Sequence, residues 1–245
     1  MRTKMPLFLA ACATLALTSA CSNAQSSETR NWAASSYDGG RQIIGSDTLV
    51  RESRPVAAFS RIRSEGAVSV VVRQGPASDA VIEADDNLVG LVDLVIEHGD
   101  TLVVETSGSY RPRNPMRVYV AVPRIEDVAV SGSGDITLQD WRADMLALAV
   151  GGSGDIRLDG RVREVHATVA GSGDIDLGGV AVEEASATVA GSGDIRIGTA
   201  GTVYATIAGS GDIDAGDVGH LVGSVNGTGD IDYRSAQSVT GNLGR

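Results

Sequence analysis

The sequence predicts an all-β fold: a right-handed parallel β-helix (solenoid) with 18–20-residue coils and an N-terminal β cap region. Three observations carry that prediction. The phrase Gly-Ser-Gly-Asp-Ile occurs five times and Gly-Thr-Gly-Asp-Ile once, with aspartates at Asp135, Asp155, Asp174, Asp194, Asp212 and Asp230. Successive aspartates are 20, 19, 20, 18 and 18 residues apart, a period at which each repeat forms one coil stacked on the last. Aromatic residues make up only 4% of the 245 residues while glycine numbers 31. That composition suits a narrow core of Val, Ile, Leu and Ala with glycines at tight corners.

Residues 1–20 read as an export signal. Arg2 and Lys4 precede an apolar run, Leu7 to Leu17, that is too short to span a bilayer as an anchor. Leu17-Thr18-Ser19-Ala20-Cys21 resembles the lipobox of bacterial lipoproteins. The resemblance implies cleavage before Cys21 and attachment of lipid to its thiol, although Thr18 stands where an aliphatic residue is usual. Leu9-Ala10-Ala11-Cys12 also matches locally, but its preceding apolar run is too short. Cleavage after Ala24 is the alternative without lipid. Ser22 after the cysteine resembles the signal that sends lipoproteins on to the outer membrane. Either cleavage leaves no cysteine pair for a disulfide.

Residues 21–47 are polar and rich in Ser, Gly and Asn, which predicts a flexible tether carrying Trp32 and Tyr37. Residues 48–124 show period-two apolar alternation, the mark of half-buried strands. Turn residues such as Gly75-Pro76, Asp85-Asp86-Asn87 and Gly99-Asp100 punctuate them. This stretch is expected to close the end of the stack, since an open strand edge invites aggregation. Gly66-Ala67-Val68-Ser69-Val70 lies well over Gly134-Asp135-Ile136-Thr137-Leu138, which would put Ala67 in the aspartate's place. Arg111, Arg113 and Arg117 form the densest basic patch, expected as a solvated loop.

Residues 125–245 carry the coils. Two residues before each phrase stand Val130, Val150, Val169, Val189, Ile207 and Val225; after each Asp comes an Ile, then Leu138, Leu158, Leu177, Ile197, Ala215 or Tyr233 two on. Polar residues alternate with them, so each coil should offer two strands to one interior. The interior is then filled by aliphatic ladders, leaving no room for a cofactor, and none is expected. Outside, Arg157, Asp176, Arg196 and Asp214 alternate in sign, predicting exposed ion pairs of up to about 1 kcal/mol each. Thr168, Thr188, Thr206 and Ser224 form a second outward rank, a weak hint of ice or glycan binding.

Six stacked carboxylates should repel by about 1 kcal/mol per neighbouring pair even in water. The structural expectation is that each accepts N–H and Ser O–H groups of a Gly-Ser-Gly turn. The alternative is a row of calcium sites; the repeat resembles the RTX nonapeptide, but lacks its intervening residue and has twice its period. No metal site is predicted beyond that alternative.

The alternation followed by Gly-Ser-Gly-Asp-Ile at coil spacing, behind the segment Phe59 to Pro123, resembles the GIN-domain family of adhesin heads. The resemblance covers Phe59 to Tyr233 and implies a β-helical domain in exported bacterial proteins, often lipoproteins. No barrel segment follows the repeats, so the chain is not expected to be an autotransporter itself. The expected function is non-enzymatic: a cell-envelope, outer-membrane lipoprotein presenting a rigid acidic β-helix to a surface, glycan or protein partner.

A polysaccharide-active enzyme is the remaining alternative. It would need clustered Asp, Lys or Arg on long loops, whereas His98, His166 and His220 fall at unrelated positions and Lys4 is the only lysine. The formal net charge of −11 becomes −13 once Met1–Ala20, with Arg2 and Lys4 and no acid, is removed. Such a surface disfavours nucleic acid.

Overall fold

The computed structural model describes residues 42–244, so the signal segment, Cys21, Trp32, Tyr37 and most of the expected tether lie outside the described residues. Residues 42–47, read from sequence as the end of that tether, are held by the fold. β1 (Ile43–Ile44) pairs in parallel with a short strand at Tyr110–Arg111. Ser46 and Ile44 are bound by the Asn87 side chain at 2.9 and 2.8 Å.

The next strands build one end of the stack. They are β2 (Leu49–Arg54), β3 (Arg61–Ser64), β4 (Ser69–Gln74), β5 (Ala80–Asp85), β6 (Val92–Glu97), β7 (Thr101–Thr106), β8 (Tyr110–Arg111) and β9 (Arg117–Val122). A single 3-10 turn, Val89–Leu91, precedes β6. β3 and β4 form one coil; β7 and β9 form another, joined through the loop that carries β8. The β7–β9 coil pairs in parallel with the β3–β4 coil, so it lies outermost although it comes later in sequence. Its outer edge is then closed by antiparallel strands: β6 on β7, and β5 on β9 with β2 beyond. Antiparallel closure ends the parallel ladder and covers the edge that would template another chain.

β10 (Asp127–Val130) returns to the other side of β3, and the repeats follow as β11 (Ile136–Val150), β12 (Ile156–Val169), β13 (Ile175–Val189), β14 (Ile195–Ile207), β15 (Ile213–Val225) and β16 (Ile231–Asn242). Each pairs in parallel with the next, and Ile136, Ile156, Ile175, Ile195, Ile213 and Ile231 stand in one register. All six are at most 3% exposed. The β-solenoid is therefore the one the period predicts, with core ladders of near-identical side chains.

Two details differ from the sequence expectation. Each coil is one long bent strand with three sides rather than two separate strands. In β12 the buried positions run Ile156, Leu158, then Val162, then Val165, Ala167, Val169. The alternation breaks twice, around Asp159–Arg161 and at Arg163–Glu164, and each break is a corner. The middle side contributes an inward column of Val162, Val182, Ala200 and Val218, which period-two reading passes over because it stands out of phase with both neighbours. Trp141 belongs to the same part of the first full coil and is wholly buried. Its register partner Gly160 has φ +135°, and a Cβ there would strike the Trp141 carbonyl oxygen.

The second difference is register. Val70, not Val68, pairs with Ile136, and Ile62 pairs with Val128. Ser69 therefore takes the aspartate's place, and Gly66 corresponds to Gly132 rather than to Gly134. The early corner keeps only one of the two glycines, and the overlay that aligned it on the second one slipped by two residues.

Candidate functional site: the aspartate corner and the outward sides

The Gly-Ser-Gly-Asp phrase is a corner whose chemistry is set by how closely consecutive coils approach. Both glycines lie against the preceding corner: a Cβ at Gly171 would collide with the Gly152 carbonyl oxygen, and one at Gly173 with that of Gly154. Only a residue without a side chain fits there. The backbone ladder continues through the corner, for instance from Ser172 N to Gly152 O at 2.9 Å.

At the aspartate, the side chain takes over from the backbone as acceptor. Asp155 N donates to Asp135 Oδ1 at 3.1 Å, and Asp174, Asp194, Asp212 and Asp230 N each donate to the Oδ1 of the preceding aspartate at 2.8 Å. Each aspartate's own carbonyl meanwhile accepts an N–H of the preceding coil, from Val70 at Asp135 and from an Ile at the others, as in Ile156 N to Asp174 O at 2.9 Å. The donors are therefore backbone N–H groups of the next coil; among the described residues no serine hydroxyl of the phrase binds an aspartate. A hydrogen bond to a charged acceptor contributes about 1.5–3 kcal/mol. That outweighs the ~1 kcal/mol repulsion between neighbouring carboxylates in water.

Asp135, Asp155, Asp174 and Asp194 line an open groove of 330 Å3 with Thr137, Arg157, Asp176 and Arg196. Arg157 reaches Asp176 at 2.8 Å and Arg196 reaches Asp214 at 3.6 Å, so cations of the protein itself stand beside the ladder. Among the described residues no group of three or more His, Cys, Asp or Glu is arranged to hold a metal ion.

The other residues singled out from sequence are not brought together. His166 contacts Glu164 at 3.0 Å, His220 contacts Ser238 Oγ at 2.7 Å, and His98 sits in a turn with φ +53°. Among the described residues no carboxylate joins the His220–Ser238 pair and no hydroxyl or thiol joins His166 and Glu164, so neither completes a nucleophile–base–acid grouping. Thr168, Thr188, Thr206 and Ser224 do share one register. Of the basic patch, Arg117 turns to the buried Glu83 at 3.7 Å.

Sequence reasoning missed the most constrained carboxylate. Asp85, read as a turn residue, is completely buried. It accepts from Asp47 N at 3.1 Å, Arg113 N at 2.8 Å, Asn114 N at 3.2 Å and Asn114 Nδ2 at 2.6 Å. Burial pushes its pKa up, but the four donors, Arg113 N–H foremost, prevail and hold it below the ordinary aspartate value. Glu83 is buried beside it and bound by Arg51 at 2.6 Å, which raises the Arg51 pKa through that hydrogen bond and charge. Asp127 shifts the other way: burial raises its pKa, and Arg61 only partly opposes this. The signal for Asp85 in the sequence was thin, because its partners lie 38, 28 and 29 residues away.

Among functionally curated proteins, none matches the chain. Solved structures do. A crystal structure described as a putative lipid binding protein from Parabacteroides distasonis has a TM-score of 0.61 at 20% identity, covering 82% of this chain and 97% of its own. A putative adhesin from Bacteroides fragilis gives a TM-score of 0.59 at 20% identity over 82% of this chain and all of its own. A putative adhesin from Parabacteroides merdae gives 0.52 at 18% identity over 82% and 99%. At such identities these likenesses speak to the fold. The family model described as "Putative auto-transporter adhesin, head GIN domain" matches residues 58–236, from just before β3 into the last repeat strand. With that match laid over the coils, corners and cap described above, the chain belongs to the GIN-domain family.

Proposed function

We propose that this protein is a non-enzymatic cell-envelope lipoprotein that presents a rigid acidic β-helix for adhesion or partner binding. The observation that carries the reading is the GIN-domain match over residues 58–236, which spans the cap and nearly all the repeats. The geometry supports it: aliphatic ladders fill the interior, and the coil sides stand outward as registered ranks on a scaffold that cannot easily deform. Cys21 would carry the lipid, residues 22–41 would space the domain from the outer membrane, and the aspartate ladder would be structural, holding successive corners together.

Two experiments test this. Cells expressing the full chain should incorporate labelled palmitate, and Cys21→Ala should abolish the label; an unlabelled wild type would remove the lipid anchor. Protease applied to intact cells should cleave the domain, and deletion of the protein should lower attachment of the cells to their surface. Complete protection, or attachment unchanged by deletion, would remove the adhesin role.

A further inference from the structure

The middle side of the coils, the one hidden from sequence reading, is concave. Three open grooves of 500, 540 and 560 Å3 lie along it. The first two share Arg142, Ala143 and Asp144, and the last two share Ala181 and Val182. They therefore join into one trough running across the coils, from beside Arg124 to Ala236. Six coils at strand spacing make it about 24 Å long. Its floor is the strand backbone along the column Ala143, Val162, Val182, Ala200, Val218 and Ala236, aligned coil on coil, where Val162, Val182, Ala200 and Val218 turn their side chains into the core.

The two walls differ in charge. On one wall Arg142 and Arg161 are register partners on adjacent strands. Both are exposed, and neither has an acidic partner within 4.0 Å among the described residues. On the other wall Asp144, Arg163 and Glu183 follow one another in successive coils, one cation between two acids. Two like charges stacked without counterions, in a chain of net charge −11, leave a place for anions supplied from outside. Guanidinium groups bind carboxylates in a bidentate fork.

The trough's construction narrows the occupant. The floor strands are hydrogen-bonded to neighbours on both sides, so they present no free edge to which a peptide could add as a strand. The trough is open and floored by strand backbone, which offers an acyl chain neither enclosure nor an apolar surface. What remains is a linear polymer able to lie along the stack and repeat its anions at a spacing near that of the coils.

We infer that this trough binds a linear uronate-bearing polysaccharide, whose carboxylates are held by Arg142 and Arg161. The inference rests on the adhesin reading and gives it a ligand class.

The test uses the full chain, extracted from membranes in mild detergent, with polygalacturonate as the probe. Wild type should retain polygalacturonate, and the methyl-esterified polymer, with the same backbone and no charge, should bind at least tenfold more weakly. R142A/R161A should lose tenfold or more with an unchanged melting temperature; should that variant unfold, R142Q/R161Q serves in its place. Arg157→Ala, on another side of the coil, should bind as wild type does.

Lack of retention by wild type, or equal binding by the double variant, overturns the inference. So does polyuridylate binding as tightly as polygalacturonate, which would assign the trough to polyanions at large. Cell attachment separates this from the parent reading. If deletion of the protein lowers attachment while the double variant retains polymer and attachment alike, the trough falls and the adhesin stands. If polymer is bound as expected but deletion leaves attachment unchanged, the adhesin role falls instead.

Discussion

In the six repeat coils one corner solves the same problem repeatedly, whereas residues 43–122 solve a different problem at each turn. Each repeat aspartate from Asp135 to Asp212 does one job for the next coil through one hydrogen bond. In the cap, one carboxylate gathers four donors from two segments. Removing one partner in the repeats costs one bond among many equals. Removing one in the cap unfastens elements that have no other reason to meet. Repetition spreads risk, and a terminus cannot use it, because its outer face has no next coil.

Asp85→Ala should therefore have the largest effect. It takes the charged acceptor from the part-buried N–H groups of Asp47, Arg113 and Asn114, bonds that contribute about 1.5–3 kcal/mol each. Thermal melting of the full chain should show a loss above about 3 kcal/mol, with hydrogen exchange rising first in β1, β2, β5 and β8. A variant that melts like wild type, or loosens first in β13, would break the contrast between cap and repeats.

Ile175→Ala comes next. Ile175 sits wholly buried in the middle of its ladder, and the coils above and below cannot close around the lost atoms without moving their own isoleucines. A loss of about 2–5 kcal/mol is expected. Because stability in a stack is nearly a sum over neighbours, the same change at Ile231, with one paired side, should cost less. Equal losses at the two positions would deny that the stack behaves as neighbours in a row.

The contrast also governs acid sensitivity. Asp85 has a depressed folded pKa, so its stabilisation is full above the unfolded aspartate value of about 4. It is lost as pH falls through the lower folded value. Asp127 is raised; its burdened charge is relieved as pH falls, and its contribution runs the other way. Urea midpoints between pH 7 and pH 2 should fall for wild type and fall less for Asp85→Asn. Identical slopes would mean that some other group controls the acid limb.

These same regions divide what could be read from the sequence. Ile136 to Ile231, with Leu138, Leu158 and Leu177, were legible because stacking forces like onto like and leaves a period in the chain. The middle column of Val162, Val182, Ala200 and Val218 was not, because two corners inside the strand throw it out of phase. Ala67 was read into the aspartate's place, which Ser69 holds, because the first corner has lost one glycine. Asp85 looked like any turn aspartate: its burial depends on Gly45, where a Cβ would run into the carboxylate itself, and on a loop 28 residues downstream. Local pattern records what repeats, and the cap is made of contacts that occur once.

Within the repeats the aspartate should matter modestly. Asp174→Ala removes the acceptor for Asp194 N and should cost about 1 kcal/mol at this exposed corner. Asp174→Asn keeps an oxygen in place and relieves repulsion from Asp155 and Asp194, so it should be close to neutral. Millimolar calcium should leave the melting temperature of the full chain unchanged, since one oxygen of each carboxylate from Asp135 to Asp212 is already used by backbone. A rise with calcium that disappears in Asp174→Asn would instead make the ladder a cation site.

The smallest effect belongs to the charged rank outside the ladder. Arg157 and Asp176 meet at 2.8 Å across adjacent coils, both in contact with water. An exposed pair of this kind contributes about 0.2–1 kcal/mol, and a double-mutant cycle with Arg157→Ala and Asp176→Ala should return a coupling in that range. Register explains its presence better than stability does. Moving one coil along the stack would bring Asp176 opposite Asp214 rather than Arg196, as the alternating order in the observed register shows. A coupling that survives high salt would argue against a screened surface pair, and would give the rank a stabilising share comparable to the aspartates beside it.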